Sequence, residues 1–353
     1  MPPVVDPSNL YSEAGVNMLS DAVKGDLARV YVPNLQSNSV SVIDPSTMKV
    51  VNTIPVGINP QHVVPSYDMR TLWVTNNAEG RTDGTLTPID AKTGTAGQPI
   101  EVDDPYNMYF TADGKSAIVV AEARKRLDFR DPHTMQLQES LDVPECDGIN
   151  HADFSIDGSY AIFTCEFGAK LAKIDMVNKK VVGYITLSGG QGMPQDIRTV
   201  GNGSTFYVAE MMRGGLYTID GDSFKETGFI PTGTGAHGIY PSRDGTKLYV
   251  ANRGQDHVGN NTPKGPGSIS VVDPKTNSVV VTWPIQGGGS PDMGNVSADG
   301  KFLWLSGRYD DVVYVIDTST GNQIQIPVGN EPHGLVVWPE PGRYSLGHTG
   351  NTR

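Results

Sequence analysis

The sequence contains few cysteines, with only Cys146 and Cys165 among its 353 residues. Two cysteines in a chain of this length exclude a disulfide-rich scaffold, but they leave open one disulfide bond or two separate thiols. Basic residues are also scarce: 27 Lys and Arg stand against 39 Asp and Glu, and the formal net charge is −12. This balance argues against nucleic-acid binding, because that function needs a clustered basic surface.

Long apolar runs are missing as well. No stretch approaches the ~20 apolar residues of a membrane-spanning helix. The first residues, MPPVVDPSNLYSEAG, lack a basic region followed by an apolar one, so we expect no signal peptide in this chain. Glycine (41) and proline (25) are abundant, together with Thr, Asn and Asp. This composition favours many short strands joined by turns.

One pattern recurs along the chain: a short apolar run, an Asp-Gly or equivalent turn, and a second run resembling LYVAN. Its turn positions are Asp68, Asp113, Asp157, Asn202, Asp244, Asp299 and Glu340, with intervals of 45, 44, 45, 42, 55 and 41 residues. A period of about forty residues with several strands per copy is typical of a β-propeller blade.

Each copy predicts four strands, which we call A to D. The Asp-Gly turn joins strands A and B in a hairpin, because both residues tolerate the positive φ of a tight turn. The N-terminal side supplies strands B, C and D without an A, whereas HGLVVWP near the C-terminus supplies an A alone. We expect these segments to form one composite blade, which leaves no open sheet edge between the termini.

The predicted fold is therefore all-β: a seven-bladed β-propeller of four-stranded antiparallel blades over residues 28–342. Residues 1–27 are expected to form an N-terminal cap or strap, and residues 343–353 a C-terminal tail. A frayed tail is the default expectation, although the terminal GHTGNTR could fold back and bring His348 to the site.

The stretch LYVAN…SISVVDPKTNSVVVTWPIQGG resembles the YVTN-repeat, YncE-like family of seven-bladed propellers, and the resemblance covers roughly residues 28–340. It implies an extracytoplasmic protein, periplasmic or secreted, because many members carry leader peptides. It implies no single activity, since propellers serve as lactonases, lyases, haem and copper enzymes, and passive binding surfaces.

Strand A is the innermost strand of a blade, so its first residues should face the central channel. In blade order from the composite blade, the polar residues there are His333, His62, Asn107, His151, Asp196, His237 and Asp292. The last two of these and His333 stand seven residues before their turn position, whereas the others stand six before it. A one-residue shift reverses side-chain direction, so two tiers are expected unless a bulge restores the phase.

The end of strand B lies at the same face. Blades three to five carry Glu122, Glu166 and Glu210 there, and blades six and seven carry Arg253 and Arg308. One half of the channel mouth is thus predicted to be acidic and the other half basic.

Converging imidazoles predict a transition-metal site for copper, zinc or iron, with His62, His151, His237 and His333 as ligands. Glu166 and Asp196 are the predicted catalytic groups beside it. The predicted substrate-binding residues are Asn107, Glu122, Arg253 and Arg308, the arginines holding an anionic group. In the simpler interpretation each imidazole caps a loop carbonyl and each arginine pairs with a neighbouring glutamate.

The two cysteines lie on the same face of one blade and permit three interpretations. They form a disulfide in an oxidising compartment, offer a thiolate to a soft metal such as copper, or remain buried inert thiols.

Three functions fit these residues. The first is a metal- or cofactor-binding propeller that acts as an enzyme on a small polar molecule bound at the channel mouth. The second is a metal-independent lactonase- or lyase-like enzyme in which His and Glu serve as acid and base. The third is a non-enzymatic module whose rim binds a protein or polysaccharide. A monomer is expected.

Overall fold

The computed structural model describes residues 5–259 and 262–353. Within these ranges every regular element is a β-strand, and no helix is present. Seven four-stranded sheets form the blades of a seven-bladed β-propeller, which confirms the predicted fold class. None of the described residues forms a helix that is long and apolar enough to cross a membrane.

The strands follow the predicted order A to D within each repeat. The chain begins with β1 (Arg29–Asn34), β2 (Ser39–Asp44) and β3 (Lys49–Pro55). Blade 2 has β4 (Pro60–Pro65), β5 (Thr71–Asn76), β6 (Thr85–Asp90) and β7 (Ile100–Glu101). Blade 3 has β8 (Pro105–Phe110), β9 (Ala117–Ala121), β10 (Arg126–Arg130) and β11 (Leu137–Asp142). Blade 4 has β12 (Ile149–Phe154), β13 (Tyr160–Cys165), β14 (Lys170–Asp175) and β15 (Lys180–Thr186).

The remaining strands repeat this order. Blade 5 has β16 (Pro194–Val200), β17 (Thr205–Glu210), β18 (Gly215–Asp220) and β19 (Lys225–Pro231). Blade 6 has β20 (Ala236–Pro241), β21 (Leu248–Asn252), β22 (Ser268–Asp273) and β23 (Ser278–Pro284). Blade 7 has β24 (Pro291–Val296), β25 (Phe302–Gly307), β26 (Val312–Asp317) and β27 (Gln323–Pro327). The last strand is β28 (Val336–Trp338).

Blade 1 is the predicted composite blade. Its strand order is β28-β1-β2-β3, and Val336 of β28 lies opposite Tyr31 of β1 in an antiparallel ladder. The C-terminal part of the chain thus supplies the inner strand that the N-terminal part lacks.

Two compact units make up the chain. The first comprises Met1–Ser12, Glu122–Leu127 and Ser140–Pro291 and contains blades 4, 5 and 6. The second comprises Glu13–Ala121, Asp128–Glu139 and Asp292–Arg353 and contains blades 1, 2 and 7, together with β8 and β9.

Burial falls from the inner to the outer strand of a blade. Every residue of β8 is buried, whereas β11 of the same blade is exposed along most of its length. Neighbouring sheets bury their faces against each other: in the first unit, for example, Ile162 of blade 4 shares a core with Phe206 and Tyr217 of blade 5. Inner strands are therefore enclosed on both faces, and polar groups there need partners within the protein.

The Asp-Gly turns join strands A and B as predicted. Gly158 and Gly245 both have a φ of 67°, the left-handed region that glycine occupies at low cost. Beside them, Asp157 accepts hydrogen bonds from the Ser155 hydroxyl at 2.7 Å and the Ser159 backbone N–H at 2.9 Å.

The C-terminal tail is packed, so the default expectation of a frayed tail is wrong. Within the second unit the N–H of His348 donates to the Met108 carbonyl at 2.9 Å, and that of Phe110 donates to Leu346 at 2.9 Å. One edge of β8 pairs with β9, so the tail occupies the other edge, where backbone groups would otherwise lack partners. The buried Glu340 accepts the N–H of Gly350 and holds the returning chain.

Candidate functional site

The inner strands share a bulge near their start. In blade 2, Pro60 pairs with Asn76 but His62 pairs with Thr75, so Gln61 is the extra residue. Blades 3 to 6 show the same one-residue register shift at the same place. In blades 2 and 4 a threonine hydroxyl of strand B accepts the N–H after the extra residue: Thr75 binds His62 at 3.1 Å and Thr164 binds His151 at 3.0 Å.

This bulge does not bring the seven polar residues into one register. The third residue of strand A is His62, Asn107, His151 or Asp196 in blades 2 to 5, respectively. The second residue is His237 in blade 6 and Asp292 in blade 7. The two groups thus occupy successive positions along the strand, the arrangement from which two tiers were predicted.

Three buried histidines meet in the second unit. The ring centroid of His62 lies 4.8 Å from that of His333 and 5.1 Å from that of His348. Each of the three side chains is essentially inaccessible to solvent. The ligand nitrogens of His62 and His348 lie within 4.8 Å of each other. We call these residues the histidine cluster.

Two further polar side chains lie beside the cluster. The Nδ2 of Asn107 lies 3.0 Å from Nδ1 of His348, and its Oδ1 accepts the N–H of Met108 at 2.8 Å. The Oδ2 of Asp292 lies 3.6 Å from Nε2 of His333. Asn107, predicted to bind substrate, therefore contacts a histidine instead, and its role in substrate binding stays a prediction.

Glycine makes room for this packing. A Cβ atom on Gly334 would lie 1.9 Å from Nδ1 of His62. The backbones also pair here, since the N–H of Gly334 donates to Gln61 at 2.9 Å and Val63 donates to Gly334 at 2.9 Å. The ring of His62 can therefore approach the chain beside His333 only because residue 334 has no side chain.

Sequence reasoning gave His348 a place at the site only as the alternative to a frayed tail and did not include it among the metal ligands. The available signal was its glycine neighbour: Gly347 has a φ of 86°, and a Cβ there would lie 2.4 Å from Cα of Tyr109. A glycine beside a terminal histidine indicates close backbone approach, which a frayed tail would not need.

Arg308, which follows strand β25, interacts electrostatically with Asp292, the carboxylate beside His333. Burial lowers the pKa of its guanidinium, but Asp292, Tyr309 and Glu331 raise it, and together the neighbouring groups outweigh burial, so the pKa is raised. Its Nε atom is buried and has no hydrogen-bond partner among the residues that the structure describes. The remaining guanidinium hydrogens are suited to an anionic group of a ligand.

The other two predicted ligands belong to the first unit. His151 and His237 are both buried, at the third residue of β12 and the second residue of β20. The structure thus brings His62 and His333 together in the second unit, and a site that uses all four histidines stays a prediction.

The first unit holds a carboxyl cluster around Glu166. Its Oε2 accepts Nδ2 of Asn150 at 2.6 Å, and its Oε1 accepts Nε2 of Gln195 at 3.1 Å. Glu122 is hydrogen-bonded to it as well, and the charge of Arg253 acts on it. Burial dominates these interactions and raises the pKa of Glu166 above its ordinary value.

Glu122, Glu166 and Arg253 thus interact within this unit, although the sequence assigned the two glutamates to an acidic half of the channel mouth and Arg253 to a basic half. The interaction of Arg253 with Glu166 matches the simpler interpretation in which an arginine pairs with a neighbouring glutamate. Glu210 is engaged locally, because its Oε1 accepts the backbone N–H groups of Met193 at 2.8 Å and Met212 at 3.0 Å.

Asp196 joins two inner strands of the first unit. Its Oδ1 accepts the N–H of Ile197 at 2.9 Å, and its Oδ2 accepts that of Ile239, on β20, at 3.0 Å. Arg198 lies 3.5 Å away. Burial raises the pKa of Asp196 to about 6, against the lowering effects of Arg198 and the two N–H groups. These contacts position strands, and the predicted catalytic role stays a prediction.

Cys146 and Cys165 form a disulfide bond, the first of the three interpretations. Their Cα atoms are 4.7 Å apart, within the range of native disulfides. In this state neither sulfur is a thiolate ligand for a metal.

Structural neighbours share the fold at low sequence identity. Dihydro-heme d1 dehydrogenase NirN is 16% identical, with a TM-score of 0.64 over 88% of this chain and 75% of that one. A putative 6-phosphogluconolactonase from Bacteroides uniformis is 17% identical, with a TM-score of 0.67 over 88% and 99%. Virginiamycin B lyase from Staphylococcus aureus is 15% identical, with a TM-score of 0.60 over 78% and 87%.

These neighbours carry unlike activities, so they show the architecture alone. No curated protein matches the sequence. The model of the YncE-like β-propeller family matches residues 1–341, nearly the whole chain. The chain therefore belongs to the YncE-like β-propeller family.

Proposed function

We propose that the protein binds a transition-metal ion through the histidine cluster and uses it on a small, polar, anionic molecule. The observation that carries this proposal is the meeting of three buried imidazoles, His62, His333 and His348, in one unit. Imidazole nitrogens are common ligands of transition-metal ions, and three imidazoles in one place could share one ion.

The donor set fits copper, zinc or iron, which imidazole nitrogen suits. A zinc–nitrogen bond of about 2.0 Å allows two ligand nitrogens to lie up to about 4 Å apart. The nitrogens of His62 and His348 lie within 4.8 Å of each other, whereas the ligand atoms of His333 lie within 4.8 Å of those of Asp292. Rotation of the His333 ring, whose centroid is 4.8 Å from that of His62, would be needed for one ion to bind all three. Asp292 beside His333 supplies the carboxylate partner that commonly fixes the orientation of a metal-bound imidazole.

Each residue around the proposed metal site would have its own role. Such a metal with an open position would act as a Lewis acid or lower the pKa of a bound water. Asn107 holds the ring of His348, and Asp292 that of His333. Arg308 would bind an anionic group of the substrate through its fork of N–H donors.

The second candidate function is metal-independent acid–base catalysis, in which Glu166 takes part. The raised pKa of Glu166 favours it, since a carboxyl group that keeps its proton can act as a general acid.

For the location of the protein, we infer an extracytoplasmic compartment. The Cys146–Cys165 disulfide supports it, because such bonds persist in oxidising compartments.

Metal analysis of the purified protein tests the proposal. After incubation with copper, zinc or iron and removal of excess metal, we expect about one ion per chain. His62→Ala and His348→Ala should each lower this content at least tenfold. His133→Ala, at an exposed position in the same unit, is the matched control and should retain the metal. Equal metal content in all variants, or no metal in the unmodified protein, would contradict the proposal.

A further inference from the structure

We propose that Glu122 and Glu166 hold one proton between them and form an acid–base site of the first unit that exchanges this proton with an oxygen atom of a small-molecule ligand. The proposal rests on the contacts of these carboxyls and does not depend on the histidine cluster. It would give the second candidate function its proton donor.

Glu166 accepts a hydrogen bond at each of its two carboxyl oxygens. Asn150 donates to one oxygen at 2.6 Å and Gln195 to the other at 3.1 Å. Both donors are neutral amide groups on buried inner strands, β12 and β16, so the acceptor is held firmly in place. When a second carboxyl group, Glu122, bonds to this acceptor, one of the two must carry a proton, because two carboxylates offer only acceptors.

Charge balance leads to the same conclusion. The charge of Arg253, which is almost fully buried, acts on Glu166, and Glu122 is hydrogen-bonded to Glu166. With one shared proton the three groups carry no net charge. With both carboxyls ionised they carry a net charge of −1 in a region that excludes water, which is unfavourable. The two carboxyls therefore titrate as a pair, and the first proton is lost more readily than the second.

Glu122 gives this proton a route to a ligand. Glu166 is 3% exposed, whereas Glu122, at the start of the turn after β9, is only half-buried. Protonation of a ligand oxygen moves the shared proton to the ligand and leaves both carboxyls ionised. In the reverse direction the pair takes up a proton from a hydroxyl group of the ligand. No electron is transferred in either direction.

Infrared difference spectroscopy of the whole protein tests the shared proton. We expect a carbonyl stretch from one protonated carboxyl group per chain at neutral pH. Glu122→Gln and Glu166→Gln should each abolish it, because the remaining carboxylate and Arg253 then carry no net charge and the new amide can donate the hydrogen bond that the shared proton made. Glu145→Gln, an exposed glutamate of the same unit, should leave it unchanged.

Absence of the band from the unmodified protein, or its persistence in both glutamine variants, would overturn the proposal. Glu122→Gln changes a half-exposed side chain and so keeps the test usable if Glu166→Gln fails to fold. Metal content separates this proposal from the preceding one. It should be unchanged in Glu122→Gln, and the infrared band should be unchanged in His62→Ala.

Discussion

The carboxyl groups of the outer turns and those of the inner strands behave in opposite ways. Asp317, in the turn after β26, accepts the N–H groups of Ser319 and Thr320 at 2.9 Å each, and its pKa is lowered to about 2. Asp196 also accepts two backbone N–H groups, yet its pKa is raised to about 6. Asp317 also accepts the hydroxyl groups of Ser319 and Thr320, and these hydrogen bonds lower its pKa. At Asp196 burial is the largest effect and raises the pKa despite the two N–H groups.

This difference separates two uses of the same residue type. A carboxylate near solvent stabilises a turn at little cost, and the repeated aspartates at such turns do so in blade after blade. A buried carboxyl group must compensate for its loss of water. It either joins strands, as Asp196 on the inner strand β16 does, or retains a proton, as we propose for the Glu122–Glu166 pair at the ends of strands B. Proton chemistry is therefore expected at the buried carboxyl groups and not at those of the outer turns.

The largest expected effect is that of removing a buried carboxylate. Asp196→Ala leaves the Arg198 guanidinium buried without this countercharge and takes an acceptor from the N–H of Ile239. Loss of one partner of a buried ion pair costs about 3–5 kcal/mol. Urea unfolding at neutral pH measures the change in unfolding free energy. If Asp196→Ala lowered the free energy of unfolding no more than the loss of an exposed turn aspartate does, the contrast between buried and exposed carboxylates would be wrong.

The pH dependence of stability sharpens the comparison. The pKa of Asp196 is about 6 in the folded protein and 3.8 by ordinary reference, so folding favours its protonated form. Its contribution to the free energy of unfolding is fully present below about pH 4 and is lost as the pH rises through about 6, a change of about 3 kcal/mol. Asp196→Asn removes this titration. The stability difference between wild type and variant should therefore shift by that amount between pH 4 and 7, and a constant difference would refute the raised pKa.

Much of the fold was predictable because it depends on local chemistry. The Asp157-Gly158 turn, for example, needs only the positive φ of glycine and the short side chain of aspartate, and its recurrence gives the blade period. The composite blade followed from counting strands. The order of β28 beside β1 confirms it.

The site was less predictable because it depends on backbone pairing between distant segments. His62 and His333 could be assigned to inner strands, but the bulge at Gln61 has no distinct sequence pattern. The position of His348 depends on the tail pairing with β8, some 240 residues earlier in the chain. The sequence also could not distinguish the roles of Asp196 and Glu166. Their different contacts, Ile239 for Asp196 and Glu122 for Glu166, are seen only in the structure.

A third test compares packing near the inner strands with packing on an outer strand. Gly334→Ala would place a methyl group 1.9 Å from Nδ1 of His62, and overpacking of this kind costs about 1–3 kcal/mol. Gly183→Ala, on the outer strand β15, has no neighbouring atom within 4 Å of the new methyl group. Its unfolding free energy should change by less than about 0.5 kcal/mol. Thermal unfolding of the two variants side by side measures both, and similar results would show that the inner strands are not tightly packed.

The smallest expected effect lies at the turns. Asp317→Ala removes hydrogen bonds to Ser319 and Thr320 near solvent, where water replaces them, so we expect a loss of about 1 kcal/mol at neutral pH. The sign of its pH dependence is opposite to that of Asp196. Because the folded pKa of about 2 lies below the ordinary value, the stabilisation is present above about pH 4 and is lost as the pH falls towards 2. Wild type and variant should therefore converge in stability in acid, and divergence there would show that this carboxylate is not stabilised by its turn.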